Sequence, residues 1–112
     1  MISITFNENM KRIRDGFAEA APHVYHYWRE RKSFPCIVWQ ENGEDASFYA
    51  GNQKAEQAVS GTLDYYTKLE FDPAVDTVQQ IFRDMEISWT LNSVQYEEDT
   101  NLIHYEWNWV IC

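Results

Sequence analysis

The sequence has few of the residues that define several large protein classes. It contains four glycines, three prolines and two cysteines in 112 residues. So little glycine and proline excludes collagen-like and linker-like chains. Two cysteines are too few for the framework of a disulfide-rich secreted domain. We therefore expect Cys36 and Cys112 to be reduced thiols in a cytoplasmic protein.

Long hydrophobic runs are also missing. No apolar segment approaches the ~20 residues that a membrane helix needs. The opening residues, MISITFNENMKR, lack the basic segment followed by an apolar one that is typical of a secretory signal. We expect no contact with a membrane. The length is that of one domain, so we assign residues 1–112 to a single unit.

Aromatic and acidic residues, in contrast, are abundant. Aromatic residues make up 16% of the chain, which favours a packed core over disorder. The net charge is −9 and unevenly spread: the first 35 residues carry six basic and four acidic side chains, and the remainder carry three and 14. An acidic chain repels phosphates, so free nucleic acid is a poor partner. The asymmetry suits head-to-tail contact between subunits, and plain solvated surface is the alternative interpretation.

Hydrophobic periodicity predicts two helices. The first spans residues 8–20 with Asn7 as its N-cap, and the second begins at Asp72-Pro73, where Asp is the N-cap and Pro takes the first helical position. The apolar residues expected to face the core are Met10, Ile13, Phe17, Val75, Val78, Phe82 and Met85.

Five segments have strand character, and a long irregular stretch separates the second from the third. The strands are predicted over residues 23–28, 34–40, 57–69, 86–96 and 102–111. Residues 41–57 should form a mobile loop, with SFYA as one strand of a hairpin arm. The order α-β-β-β-α-β-β predicts an α+β two-layer domain, with a mixed, mostly antiparallel sheet and both helices on one face.

Alternation along the strands predicts which residues face the helices. Ile103, Tyr105, Trp107, Trp109 and Ile111 should be buried in the last strand, as should Ile87, Trp89 and Leu91 in its partner. The other face of the sheet is semi-polar and should be either wet or in contact with another protein. Its residues are Thr62, Asp64, Tyr66, His104, Glu106 and Asn108.

Signatures of catalysis are weak. There is no GxSxG motif and no glycine-rich phosphate loop. His23 and His26 are three residues apart on a predicted strand and so point to opposite faces. Asp64 and Glu106 could approach each other on one sheet face, but nothing indicates a cleft around them. We predict no enzymatic activity, no metal site and no cofactor.

Four segments, taken in order, resemble a known family. They are the helix leading into VYHYW, the FPCIVWQ strand, VSGTLDYYTK before the Pro-capped helix, and YEEDTNLIHYEWNWVI. Over residues 8–112 this pattern is similar to the tail-completion or tail-terminator (head–tail joining) proteins of long-tailed bacteriophages and prophages of Gram-positive hosts. The resemblance implies a small α+β virion structural protein, assembled in the bacterial host cytoplasm and located in the tail–neck region.

The resemblance also implies a set of partners. Such proteins form a hexameric ring that ends the tail tube and joins it to the head, so the expected partners are other copies of the chain, the tail tube protein and a neck or head-completion protein. DNA would be only a cargo passing through the channel. The alternatives are another neck component, such as a head-completion or stopper protein, and a small acidic binding or inhibitor module.

Interface residues follow from the charge pattern and from this expected role. We expect the basic turn to meet the acidic hairpin tip of a neighbour or to face DNA, and the long loop to order against the tube protein. The candidates are Arg29, Arg31 and Lys32 in the basic turn, Glu97, Glu98 and Asp99 at the tip, Phe48 and Tyr49 in the loop, and Asp64 on the semi-polar face.

Overall fold

A computed structural model describes residues 4–27, 33–45, 49–50, 53–54 and 57–112. It confirms the predicted fold class: an α+β domain with the order α-β-β-β-α-β-β, a five-stranded mixed sheet and both helices on one side. The helices are α1 (Phe6–Phe17) and α2 (Pro73–Asp84). The strands are β1 (His23–His26), β2 (Cys36–Glu44), β3 (Tyr49–Ala50), β4 (Gln53–Lys54), β5 (Val59–Thr67), β6 (Ser88–Glu97) and β7 (Leu102–Ile111).

The main sheet has the strand order β1-β2-β5-β7-β6. The β1–β2 pair is parallel and the other three pairs are antiparallel. Strands β5 and β7 lie at the centre, and β6 is a ten-residue edge strand. The short strands β3 and β4 pair with each other, which confirms the hairpin arm expected in the long loop.

Both helices begin at side-chain caps. The side chain of Asp72 accepts a hydrogen bond from the Ala74 amide and Pro73 follows it, as predicted. The N-cap of α1 is Thr5 rather than Asn7, because the Thr5 hydroxyl accepts a hydrogen bond from the Glu8 amide at 3.1 Å. Asn7 therefore lies inside the first turn. Neither described helix is long and apolar enough to cross a membrane.

The core lies between the helices and the sheet. Trp39, Leu63 and Trp107 are fully buried there, and the Trp107 Nε1–H donates to Gln79 Oε1 at 3.2 Å, which ties β7 to α2. Trp109 packs directly over Gly61, so closely that a Cβ at this position would collide with the indole ring and with the Gln40 carbonyl. Glycine is therefore required at this point of β5 for steric reasons.

Several predicted boundaries and one predicted burial differ from the structure. Helix α1 spans Phe6–Phe17 instead of residues 8–20, and strand β5 spans Val59–Thr67 instead of residues 57–69. Strand β2 runs to Glu44 instead of ending at residue 40, because residues 41–44 continue to pair with β5 across a bulge between Glu41 and Gly43. The loop predicted over 41–57 is correspondingly shorter, and its mobility stays a prediction. Leu91 is 40% exposed although it shares a face with Trp107, because a bulge follows it and the outer part of β6 extends past the helices.

Candidate functional site

The face of the sheet opposite the helices, which we call the open face, carries a compact polar cluster at its centre. The register of β5 and β7 places Asp64 directly opposite Glu106 and Tyr66 directly opposite His104. The expected approach of Asp64 to Glu106 is therefore confirmed. His104 lies diagonally across from Asp64, so both acids and the imidazole meet on one face of the two central strands.

The contacts within this cluster are short. His104 Nε2–H donates to Asp64 Oδ1 at 2.7 Å, and both side chains are about four-fifths buried. The Tyr66 ring stacks on the His104 ring with centroids 4.3 Å apart. On the far side, Asn92 Nδ2 donates to Glu106 Oε1 at 3.4 Å. We call Asp64, His104 and Glu106 the carboxylate–imidazole cluster.

The electrostatics of the open face are negative. Burial raises the pKa of Tyr66 to about 12, and the negative charges of Asp64, Glu97 and Glu106 act in the same direction. The phenol therefore stays neutral at physiological pH and cannot serve as a general base. Its structural role is to cover one face of His104.

A shallow groove of about 630 Å³ lies beside the β6–β7 turn. The turn around it is ordered by side-chain hydrogen bonds, since Tyr96 Oη–H donates to Asn101 Oδ1 at 2.8 Å and Thr100 Oγ1–H donates to Glu97 Oε2 at 3.3 Å. The groove is lined by Phe34, Tyr66, Lys68, Glu97, Asp99, Thr100, Asn101 and Leu102. Two of the predicted interface acids, Glu97 and Asp99, thus lie on a surface with both aromatic and charged walls.

On the helix side of the sheet, the outer half of the β6–β7 hairpin carries apolar side chains that the helices do not cover. Val94 pairs with Tyr105 and Tyr96 pairs with Ile103, on the same face as the buried Trp107. Val94 is 51% exposed and Tyr96 is 60% exposed. We call this surface the hairpin patch; it consists of Leu91, Val94, Tyr96, Ile103 and Tyr105.

A second histidine–carboxylate pair lies between β1 and β2. His26 Nε2–H donates to Glu41 Oε1 at 2.7 Å, and the imidazole is stacked between the rings of Tyr27 and Trp39. Burial acts to raise the pKa of Glu41, but hydrogen bonds from His26 and Tyr27 outweigh burial and hold that pKa below its usual value. This pair involves one carboxylate, whereas the carboxylate–imidazole cluster has two.

The structure describes only some of the residues predicted to form interfaces. Asp64 belongs to the carboxylate–imidazole cluster, Glu97 and Asp99 line the groove, and Glu98 is exposed at the hairpin tip. Arg29, Arg31, Lys32 and Phe48 lie outside the described residues, and only the backbone of Tyr49 is described, as the first residue of β3.

Sequence reasoning missed two features of the site. It placed His104 on the semi-polar face with Asp64, Tyr66 and Glu106, but it predicted no contact between His104 and Asp64. Alternation within each strand does not give the register between β5 and β7, and it is this register that brings His104 to Asp64. The hairpin patch was missed because the bulge between Leu91 and Ser93 shifts the alternation, so that Val94 and Tyr96, rather than Ser93 and Gln95, share a face with Leu91.

Comparison with known proteins adds no assignment. No protein-family model matches the chain, and no curated protein matches it.

Proposed function

We propose that this protein is a structural subunit of the tail–neck junction of a long-tailed bacteriophage or prophage. In this role copies of the chain form a ring, expected to be hexameric, that caps the tail tube and joins it to the head. The segment pattern described under "Sequence analysis" and the α+β fold with helices on one side both support the proposal. The observation that carries it is the hairpin patch on the edge strand β6.

Strand β6 has few of the features that keep an edge strand from pairing with other chains. Natural edge strands are protected by lysines, prolines, bulges or inward-pointing charges, and β6 has only the bulge between Leu91 and Ser93. The β6 sequence SWTLNSVQYE has no proline and no lysine, and its single charge is the terminal Glu97. Together with the exposed Val94 and Tyr96, this weakly protected edge is a surface suited to a protein partner.

The charges of the chain suit contact between this surface and a second copy of the chain. In a ring, one surface of each subunit meets a different surface of the next. The hairpin next to the patch ends in Glu97, Glu98 and Asp99, and the basic residues of the chain are concentrated in residues 1–35. A head-to-tail contact would bring the acidic hairpin of one subunit near the basic turn of its neighbour, Arg29, Arg31 and Lys32.

The distribution of acids favours assembly over nucleic-acid mimicry. A mimic needs its acids concentrated on one exposed face. Here they are spread over α1, α2, the open face and the β6–β7 turn, for example at Glu8, Asp15, Asp76, Asp84 and Glu98. A stopper or head-completion protein remains the nearest alternative, and it differs in binding the head side of the junction instead of the tube.

The test compares a Val94→Glu/Tyr96→Glu double variant with a Thr90→Glu/Gln95→Glu control, which places the same two charges at exposed positions on the opposite face of β6. We measure solution mass by light scattering and binding to purified tail tubes. Wild type and control should form rings or bind tube ends, and the folded double variant should do neither, because the new charges would be buried in the contact.

Two results would contradict the proposal. The first is wild-type protein that stays monomeric at every concentration and also fails to bind tail tubes. The second is a double variant that assembles or binds as wild type does, which would remove the hairpin patch from the contact.

A further inference from the structure

We propose that Asp64, His104 and Glu106 form a binding site for a divalent transition-metal ion of the zinc class on the open face. The three side chains each offer one ligand atom, and these atoms all lie within 4.8 Å of one another. They come from the two central strands of the sheet, so their backbone positions are held by pairing on both sides.

The spacing of the ligand atoms suits a small ion. Zinc binds nitrogen and oxygen ligands at about 2.0–2.2 Å, which places neighbouring ligand atoms about 3.3 Å apart in a tetrahedral site. His104 Nε2 and Asp64 Oδ1 are now 2.7 Å apart around a shared proton. An ion that displaces this proton would need the pair to open by about 0.6 Å and Glu106, whose ligand atom lies within 4.8 Å of the other two, to close from the third side.

The charge arrangement favours a cation at this point. Like charges placed directly opposite each other on antiparallel strands are destabilising, and Asp64 and Glu106 are such a pair. Among the described residues, the hydrogen-bond partner of Asp64 is His104, and Glu106 has only the neutral Asn92 amide as a hydrogen-bond donor. A divalent ion would neutralise both carboxylates together.

Neighbouring side chains already orient the ligands. The stacked Tyr66 ring limits rotation of the His104 imidazole, and the Asn92 amide holds one oxygen of Glu106. Such supporting contacts typically change metal affinity by about 10–100-fold. The combination of one imidazole and two carboxylates selects zinc-class ions over calcium and magnesium, which prefer oxygen ligands alone. Three protein ligands also leave one coordination position for water or for a side chain of a partner.

The His26–Glu41 pair provides a matched control within the same chain. Its nitrogen–oxygen distance is also 2.7 Å, but it has one carboxylate, and its imidazole lies between two aromatic rings. Removing His26 should therefore leave metal binding unchanged, whereas removing His104 should abolish it.

The experiment titrates Zn²⁺ into the full chain by calorimetry, with Cys112→Ser in every protein to remove the exposed thiol. The parent should bind one Zn²⁺ per chain. His104→Gln should weaken binding at least 100-fold and Glu106→Gln at least 10-fold, and His26→Gln should match the parent. Circular dichroism verifies that each variant is folded.

A second measurement on the parent avoids dependence on variants that fail to fold. Zn²⁺ should shift the ¹⁵N resonance of His104 Nε2, and Ca²⁺ should not. The proposal is overturned if the parent binds no stoichiometric Zn²⁺, if folded His104→Gln keeps the parent affinity, or if Ca²⁺ binds as tightly as Zn²⁺.

Discussion

Trp107 connects the two layers of the domain through a single side chain. Its ring is completely buried among the core residues, and its Nε1–H reaches Gln79 on α2. Trp107→Ala should lower the free energy of unfolding by about 3–5 kcal/mol, because it leaves a large cavity between β7 and α2. Urea unfolding monitored by circular dichroism measures the loss.

The matched control for Trp107→Ala is Asn108→Ala, the next residue of the same strand, whose side chain is exposed on the open face. This substitution should change the free energy of unfolding by no more than about 0.5 kcal/mol. Equal effects of the two substitutions would mean that the faces of β7 are reversed.

The start of α2 depends on Asp72, which joins the helix to the end of β5. One carboxylate oxygen accepts from the Ala74 amide, and the other accepts from Tyr65 Oη–H at 2.6 Å and Thr67 Oγ1–H at 2.7 Å. Burial acts to raise the pKa of Asp72, but these hydrogen bonds outweigh it and hold the pKa below its usual value. Asp72 therefore stabilises the fold mainly when it is ionised.

The sign of the pH dependence follows from this lowered pKa. The stabilisation is fully present above the unfolded-state pKa, near 4, and is lost as the pH falls through the lower pKa of the folded state. Asp72→Ala should cost about 2 kcal/mol at pH 7, the upper part of the range for a lost N-cap. The cost should shrink in acid, as denaturation at a series of pH values can measure.

Asp76→Ala is the control for Asp72→Ala, because Asp76 lies in the same first turn but is exposed. It should cost about 0.5 kcal/mol, through the helix dipole alone. If the Asp72→Ala cost were the same at pH 2 as at pH 7, the carboxylate would not be the stabilising form.

In the proposed ring, assembly of the subunits should depend on the uneven charge of the chain. Replacing Arg29, Arg31 and Lys32 by Glu should block ring formation or tail joining while leaving the subunit folded, because the reversed segment would repel the acidic hairpin of a neighbour. Light scattering and tube binding measure assembly, and circular dichroism measures folding.

The control for this reversal is Lys11→Glu/Arg14→Glu, which also changes the sign of basic side chains, but on the outer face of α1. It should assemble as wild type does. Normal tail joining by the triple variant would remove the basic turn from the interface.

Local sequence patterns were sufficient to predict the presence and order of the helices and strands. The Asp72-Pro73 pair indicated the start of α2, because a capping side chain and a proline at the first helical position act within four residues of each other. Alternation in β5 and β7 indicated which side chains face the helices, because successive strand residues point to opposite sides.

Contacts between segments distant in sequence required the tertiary structure. His104 reaches Asp64 only because β7 pairs with β5 in one register, and a shift of one residue would send the two side chains to opposite faces. Leu91 has the spacing of a buried residue, yet it is exposed where the hairpin extends past the helices, and Val94 shares its face only because a bulge between Leu91 and Ser93 shifts the alternation. Local spacing thus determined the elements and their faces, whereas strand register and helix coverage decided where the cluster and the hairpin patch lie.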